Sequence, residues 1–556
     1  VTTTTSSEKM EVKLDFTGSA NVDVDAVIVG GGLSGIRALI EMRRLGLRAR
    51  LIEAGSDVGG TWYWNRYPGA RTDSQAWVYG FPLDEVRFNW RWAERFATQP
   101  QTHGYLKYVT DTFDLWPDIK FDTRVESAVF DEGTGTWMVS TDKGDEISAR
   151  FFVAATGQLS LPYLPNFDGL SEFEGEWYQT QKWPEGGVNF DGKRVAIVGT
   201  GATGIQVIPI VASEAAHLTV FQRTPNYVLP ARNDALSDHD VSIIRKNSDE
   251  IFDRAFSQAF GMDIPISAGR VAADCTPEEQ QQVLERGWEY GGFRYLFETF
   301  DDILTDEQSN ELAADFVRNK IRSIVKDPAT AELLCPKGYP LGNKRPPLGH
   351  YYYETFNKEN VSLADISETP MRIEPKGIRV GNELHEVDAI IFSTGYDALT
   401  GTLNQIDIRG RGGAMLRERW TNGPRTHLGM LVDGFPNFFM VAGPQTPFAN
   451  IPVVTESCVN WLRDMLTAMH ERGCDTVEPT PESVEQFRQT VEAVTDMTVF
   501  RRGGVRNWFL GTNIPGKPEA TVMWLGGVAS FRNVCEAEAS ADYKGLVFTS
   551  SDASRR

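Results

Sequence analysis

Cysteine is scarce in this 556-residue chain: Cys275, Cys335, Cys458, Cys474 and Cys535 are scattered and never form a Cys-x-x-Cys pair. That pattern argues against a disulfide framework and a thiolate zinc site. No metal is expected, and a reducing, cytoplasmic setting fits best. Positive charge is also short, with 55 Lys and Arg against 76 Asp and Glu and a net charge of −21. Nucleic acid and anionic membrane surfaces both call for clustered cations, so neither is expected as a partner. No apolar run is long enough to span a bilayer, and the polar start, VTTTTSSEKMEVK, lacks the apolar core of a secretory signal. Nothing in the composition calls for an obligate protein partner. With 41% hydrophobic and 24% charged residues, the remainder is ordinary globular composition at a length that exceeds one core. A multidomain enzyme acting on small molecules is the expected class.

Glycine is where the pattern begins. VDAVIVGGGLSGIRALIEMRRLGLRARLIEAG, from Val24, reads strand, turn, helix, strand. Gly30, Gly32 and Gly35 fit G-x-G-x-x-G, the turn that lets a pyrophosphate approach the backbone at a helix N-terminus. KRVAIVGTGATGIQVIPIVASEAAHLTVFQR, from Lys193, repeats the grammar with Gly199, Gly201 and Gly204. Two apolar runs, FFVAATG (151–157) and AIIFSTG (389–395), read as buried strands entering Gly turns. Residues 234–335 turn charged and helical, and a helix is expected at 455–471. The fold class is therefore α/β: two Rossmann-like dinucleotide-binding domains with a helical insertion. The expected partition is a flexible tail at 1–22, a discontinuous first nucleotide domain at 23–158 and 388–556, and a second at 159–233 and 336–387. The insertion occupies 234–335.

The two units carry opposite charges at the end of the second strand. Glu53 stands where a carboxylate accepts a ribose 2′-hydroxyl and repels a 2′-phosphate, so the first unit wants FAD or NAD. Arg223 stands at the matching place in the second unit, where a guanidinium welcomes the 2′-phosphate of NADP(H). A chain with both sites is most simply a flavoprotein reduced by NADPH. Thr61, Thr200, Thr203, Gln206 and Thr224 supply hydroxyls and an amide in reach of NADP phosphates or the nicotinamide ribose.

GGTWYWNRYPGARTD (59–73) packs four large rings, two arginines and a carboxylate into one loop. Such a loop needs a large, flat, partly polar object to pack against, and Trp62, Tyr67 and Tyr79 are rings that could wall an isoalloxazine. The stretch resembles the GxWxxxxYPGxxxD pattern of the single-chain FAD/NADPH Baeyer–Villiger monooxygenases, from Gly60 through Trp62, Tyr67, Pro68 and Gly69 to Asp73. FEGEWYQTQKWP (173–184) is similar to that family's FxGxxxHxxxWP fingerprint: Phe173, Gly175, Trp183 and Pro184 fit, and Gln179 stands at the histidine position. NKRPPLGHYYYETFN, STGYDALTG and NWFLGTNIPGKP follow in family order, so the resemblance runs from about residue 24 to 548. It implies a cycle in which NADPH reduces FAD, O2 adds to give a C4a-peroxyflavin, and a ketone becomes an ester or lactone.

By matching the NKRPP segment, Arg345 is the expected partner of the anionic oxygen, since arginine keeps its charge where a buried lysine loses it. Asp73 is expected to pair with Arg345 and orient it, and Lys344 to help Arg223 hold the 2′-phosphate. Trp508 fits a lid over cofactor and substrate. GPQTPFANIPV (443–453) resembles the segment of the cyclic-ketone members, and Phe448, Ile451 and Val453 point to an uncharged, apolar ketone. Phe509 and Leu510 are expected to complete that pocket. Two alternatives stay open: a flavin oxygenase acting on nitrogen or sulfur, and an NADPH-dependent flavoprotein reductase.

Overall fold

The computed structural model of the chain describes residues 13–16, 21–502, 504 and 506–550. Two sheets organise it. The first has eight strands, in the order Asp407–Arg409, Val125–Asp131, Thr136–Thr141, Glu146–Ala154, Val24–Val29, Ala49–Ile52 and Ile119–Lys120, with Phe438–Met440 also on Glu146–Ala154. Val24–Val29 runs parallel to both its neighbours, and Phe438–Met440 adds a further parallel pairing. The centre of this sheet is covered on both faces, and its strands read as unbroken apolar runs such as VIV and FFVA for that reason. The second sheet is wholly parallel, in the order Val361–Asp365, His217–Gln222, Arg194–Val198, Ala389–Phe392 and Glu176–Gln179. Helices fill 238–334, between strands His217–Gln222 and Val361–Asp365 of this second unit, beginning with a capping box at Ser237 and Asp240.

Three expectations about boundaries change. A return to the first unit at residue 388 comes too early, because Ala389–Phe392 lies between Arg194–Val198 and Glu176–Gln179 in the second sheet. The apolar run alone could not say which of two similar parallel sheets would take it. The tail is also not free over its whole length. Leu14 is buried and donates its backbone N–H to Leu45 O at 2.8 Å, while the Phe16 ring packs edge-on to Phe151 at 5.4 Å. Residues 1–12 and 17–20 of that expected tail lie outside the described residues. The helix expected from 455 begins at Ile451, with Pro452 in its first turn, where proline's missing N–H costs nothing.

Among the described residues no helix is long and apolar enough to cross a membrane. The carboxyl ends of both sheets open onto one cavity of about 1410 Å³, which Val29, Ile52, Ala155, Val198, Phe221 and Ser393 all help to line. Ligands in open parallel sheets bind at that end of the strands.

Candidate active site

The two glycine turns have the same geometry. Gly30 has φ +105°, and a Cβ there would fall 2.6 Å from Ala155 O; Gly199 has φ +108° and would meet Ser393 O at 2.4 Å. The third glycines lie behind the cavity wall and bring each helix onto its own turn, since a Cβ on Gly35 would sit 1.8 Å from Gly30 O and one on Gly204 2.2 Å from Gly199 O. Helices Leu33–Arg44 and Ala202–Glu214 start at Gly32 and Gly201, and neither has a side-chain cap. Their first N–H groups and positive dipole ends therefore face the cavity, ready for an anion. Gly201 has ordinary φ, and a Cβ there would have no chain atom within 4 Å. The chain itself does not need glycine at that point; a phosphate lying against the backbone does. At the first turn Gly32 is shielded instead by Gly60, whose own Cβ would come within 2.8 Å of Gly32 Cα. Both sites fit a dinucleotide.

Their charges differ as the sequence requires. Glu53 is buried and accepts from Gly31 N–H at 2.5 Å and from Gly55 N–H at 2.7 Å. Burial pushes its carboxyl up, against those N–H groups. Two backbone bonds leave lone pairs on both oxygens for ribose hydroxyls. At the second site Arg223 and Lys344 line the cavity together. Burial, with the Arg223 charge beside it, lowers the Lys344 ammonium to about 8, with no carboxylate opposing them. Its Nζ lies 5.6 Å from the Tyr339 ring centroid. Two cations held together without a counter-charge call for a multivalent anion.

A pH dependence follows. A bound 2′-phosphate favours the charged form of Lys344 and raises its pKa, so binding takes up a proton wherever the free lysine is neutral. NADP+ affinity, measured by equilibrium titration, should fall as pH rises through about 8. NAD+ should lack the step, and Lys344→Arg should flatten it. A pH-independent NADP+ affinity would remove Lys344 from the site.

Between the two turns stands an ion pair. Arg345 Nη2 donates to Asp73 Oδ2, and the Asp73 side chain is buried. Burial pushes the Asp73 carboxyl up from its usual range, while the Arg345 guanidinium pulls it down. Trp62 and Tyr79 meet edge to face beside it, with centroids 5.5 Å apart. Gly60, Thr61, Thr203 and Thr224 also border the cavity. The hydroxyl of Thr200 donates to Thr224 O at 3.2 Å.

Gln206 borders the cavity and is also bonded to the chain. Its Oε1 accepts from the Tyr67 hydroxyl at 3.0 Å and its Nε2 donates to Arg71 O at 3.1 Å. The amide pins the 67–71 loop to the second nucleotide helix, so its bonding capacity is largely spent on the chain. Gln179 lies off the cavity wall, buried at the end of its strand beside Phe392. Trp183 packs against Tyr178 at 5.7 Å and Phe190 at 6.1 Å.

The apolar end of the cavity is lined by Phe448, Ile451 and Trp508, with Trp508 edge-on to Phe448 at 5.6 Å. Phe509, Leu510 and Val453 are not on that wall. Phe509 is fully buried behind it, 4.6 Å from Phe448 and 5.2 Å from Phe500 by centroid, because the turn after Trp508 sends the next side chain inward. Sequence reasoning missed Phe260, Met262, Phe297 and Leu304, which the helical insertion contributes. The one local signal was Gly261, with φ +70°, just past the end of helix Ser248–Ser257. The segment after Trp508 is tied down by Asn513 Nδ2, which donates to Tyr396 O at 2.8 Å, and by an ion pair between Lys517 and Asp397.

Residues 27–247 match a family model described as pyridine nucleotide-disulphide oxidoreductase. A Baeyer–Villiger monooxygenase of Pseudooceanicola batsensis is 42% identical, covering 97% of this chain and 98% of that protein. Phenazine N-monooxygenase PhzNO1 of Lysobacter antibioticus is 39% identical, over 95% of this chain and 98% of its own. The crystal structure of cyclohexanone monooxygenase from Rhodococcus sp. Phi1 bound to NADP+ superposes with a TM-score of 0.92 at 40% identity, covering 95% of this chain and 99% of that one. Likeness of that degree over nearly the full length, together with the paired glycine turns and the Arg345–Asp73 pair, makes this chain a member of the Baeyer–Villiger monooxygenase family.

Proposed function

We propose that the chain binds FAD at the Gly30 turn and NADPH at the Gly199 turn, and uses O2 to convert apolar cyclic ketones into lactones. The observation that carries this reading is the Arg345–Asp73 pair, set on the wall of a cavity that both nucleotide turns share and whose far end is aromatic and aliphatic. When bound, NADPH supplies hydride and FAD supplies the oxygen-transfer chemistry. The chain's own residues do the rest. The two helix N-termini and Gly201 seat the phosphates, Glu53 sorts the first nucleotide from one bearing a 2′-phosphate, and Arg223 with Lys344 recruits that phosphate at the second. Trp62 and Tyr79 supply aromatic rings, set edge to face, to the wall between the turns. Arg345 holds a fixed positive charge against oxyanions formed in the cavity, and Asp73 aims it. Phe260, Phe297, Phe448, Ile451 and Trp508 receive the uncharged ring of the ketone and keep water out.

The domain partition, with the crossing moved past Phe392, and a cytoplasmic setting, supported by free cysteines throughout the described residues, belong to the same proposal. The test is an incubation of the FAD-loaded enzyme with NADPH, oxygen and cyclohexanone, followed by product chromatography. One lactone formed per NADPH consumed is the expected result. NADPH consumption with only hydrogen peroxide formed would return the reductase reading. The N-monooxygenase relative favours a second reading, oxygenation at nitrogen. N-oxide from phenazine, with no lactone from any ketone, would establish it instead.

A further inference from the structure

The loop Gln258–Ile264 belongs by sequence to the helical insertion, yet several of its hydrogen bonds run outside it. Asn450, at the start of helix Ile451–Glu471, is 2% exposed and borders the cavity. Its Nδ2 donates to Val78 O at 2.6 Å and to Gly261 O at 3.1 Å, and its backbone N–H donates to Phe260 O at 2.9 Å. Two carbonyl acceptors on one amide nitrogen settle which way the carboxamide points. Further along, Asp263 accepts from Trp77 Nε1 at 2.8 Å and from Arg254 Nε at 2.8 Å, and its carbonyl accepts from Gln75 Nε2 at 3.2 Å. Inside the loop, Gln258 Oε1 accepts from Phe260 N–H at 2.6 Å. Segment 75–79, at the other end of these bonds, carries Tyr79, which faces Trp62.

The two side chains this loop presents to the cavity are Phe260 and Met262. Phe260 packs on Phe297 at 4.6 Å and edge-on to Phe448 at 5.6 Å, so a shift of the loop moves the whole aromatic end. Gly261 leaves no slack: at φ +70° a Cβ there would lie 3.2 Å from both Asn450 Cβ and Val453 Cβ.

We propose that Asn450 is a positioning residue that sets the width of the ketone pocket, by nailing the Phe260–Met262 wall to the Val78–Tyr79 segment. The substrate wall is thereby fixed to the flavin side of the cavity as well as to the helical insertion from which it comes. The inference rests on the ketone reading above.

The test compares wild type, Asn450→Ala, Gly261→Ala and the double variant on cyclohexanone and on a bulky bicyclic ketone. Each single change loosens the same wall from opposite sides. The bulky-to-small ratio of kcat/KM should rise about tenfold in each, through KM, as expected for a pocket relaxed by roughly a methylene. The double variant should go no further, because the two changes break one contact. Amide hydrogen exchange across 259–263 should quicken in Asn450→Ala. A wild-type ratio in both single variants, or fully additive effects in the double, overturns the proposal. Should the wild type oxidise neither ketone, the ketone reading fails on its own account. Exchange then decides alone, and unchanged protection of 259–263 overturns the anchoring.

Discussion

Arg345→Ala is expected to lower lactone formation by about 10²–10³-fold, the loss typical when a preorganised donor to a developing oxyanion is removed. The argument starts from where the charge sits. Asp73 is buried, and Arg345 reaches it from a wall shared by both nucleotide turns. In such a place a cation must survive desolvation, and the neighbouring residue shows how a lysine fares: burial and Arg223 bring Lys344 down to about 8. Arg345→Lys should therefore rescue poorly, with a rate that declines as the lysine loses its proton at rising pH. Asp73→Ala should cost less than Arg345→Ala, since it frees the guanidinium to swing but leaves its charge in place. Steady-state lactone formation measures all three. Bleaching of the flavin absorbance by NADPH, followed separately, reports that both cofactors still bind. Wild-type lactone formation by Arg345→Ala would take the oxyanion role away from this residue.

What the sequence could disclose about this site depended on whether a residue acts through the backbone near it. The glycines of both turns, and the charges at the ends of the second strands, are fixed within one βαβ unit by turn geometry and helix–strand contact, so spacing alone exposes them. Asp73 and Arg345 are 272 residues apart. No local rule joins them, and only the resemblance to a family did so. The pocket wall shows the opposite limit. Phe260, Met262, Phe297 and Leu304 read in sequence like any buried apolar residues of the insertion, and nothing in the pattern says that they face a cavity. Phe509 and Leu510 sit beside a real wall residue in sequence, but the chain turns there and buries them. Gln206 had the right chemistry for a ribose, yet Tyr67 and Arg71 reach it first. Strand Ala389–Phe392 could not be allotted to its sheet from sequence, because both parallel sheets want the same buried apolar run.

A second large effect is expected far from the reacting centre, in Arg37→Met. Arg37 lies in the middle of helix Leu33–Arg44, 1% exposed, with Nε and Nη2 on the Glu456 carboxylate at 2.6 and 2.9 Å and Nη1 on Glu41 at 2.7 Å. Burial acts to discharge the guanidinium, but the two carboxylates outweigh it and hold its pKa above the ordinary value. Asn460 Nδ2 adds a bond to Glu456 at 3.2 Å, and Ser34 Oγ meets Thr455 Oγ1 at 2.9 Å one turn nearer the cavity. Methionine would fill much of the same volume yet leave buried Glu456 without its cation and Glu41 with only Arg463 at 3.9 Å, a loss of about 3–5 kcal/mol. A buried pair need not be better than apolar packing, however. Arg37→Met combined with Glu41→Leu and Glu456→Leu should recover most of that loss, and thermal unfolding of the FAD-saturated variants at fixed FAD concentration measures both steps. The network also has a use that stability alone does not explain. It locks the helix that begins at Gly32, under the first nucleotide, to the helix that begins at Ile451, against the ketone wall. If the triple variant regains its unfolding temperature but releases FAD faster on dilution than wild type does, the charges serve to hold those two N-termini in register. If it regains both, packing alone does so.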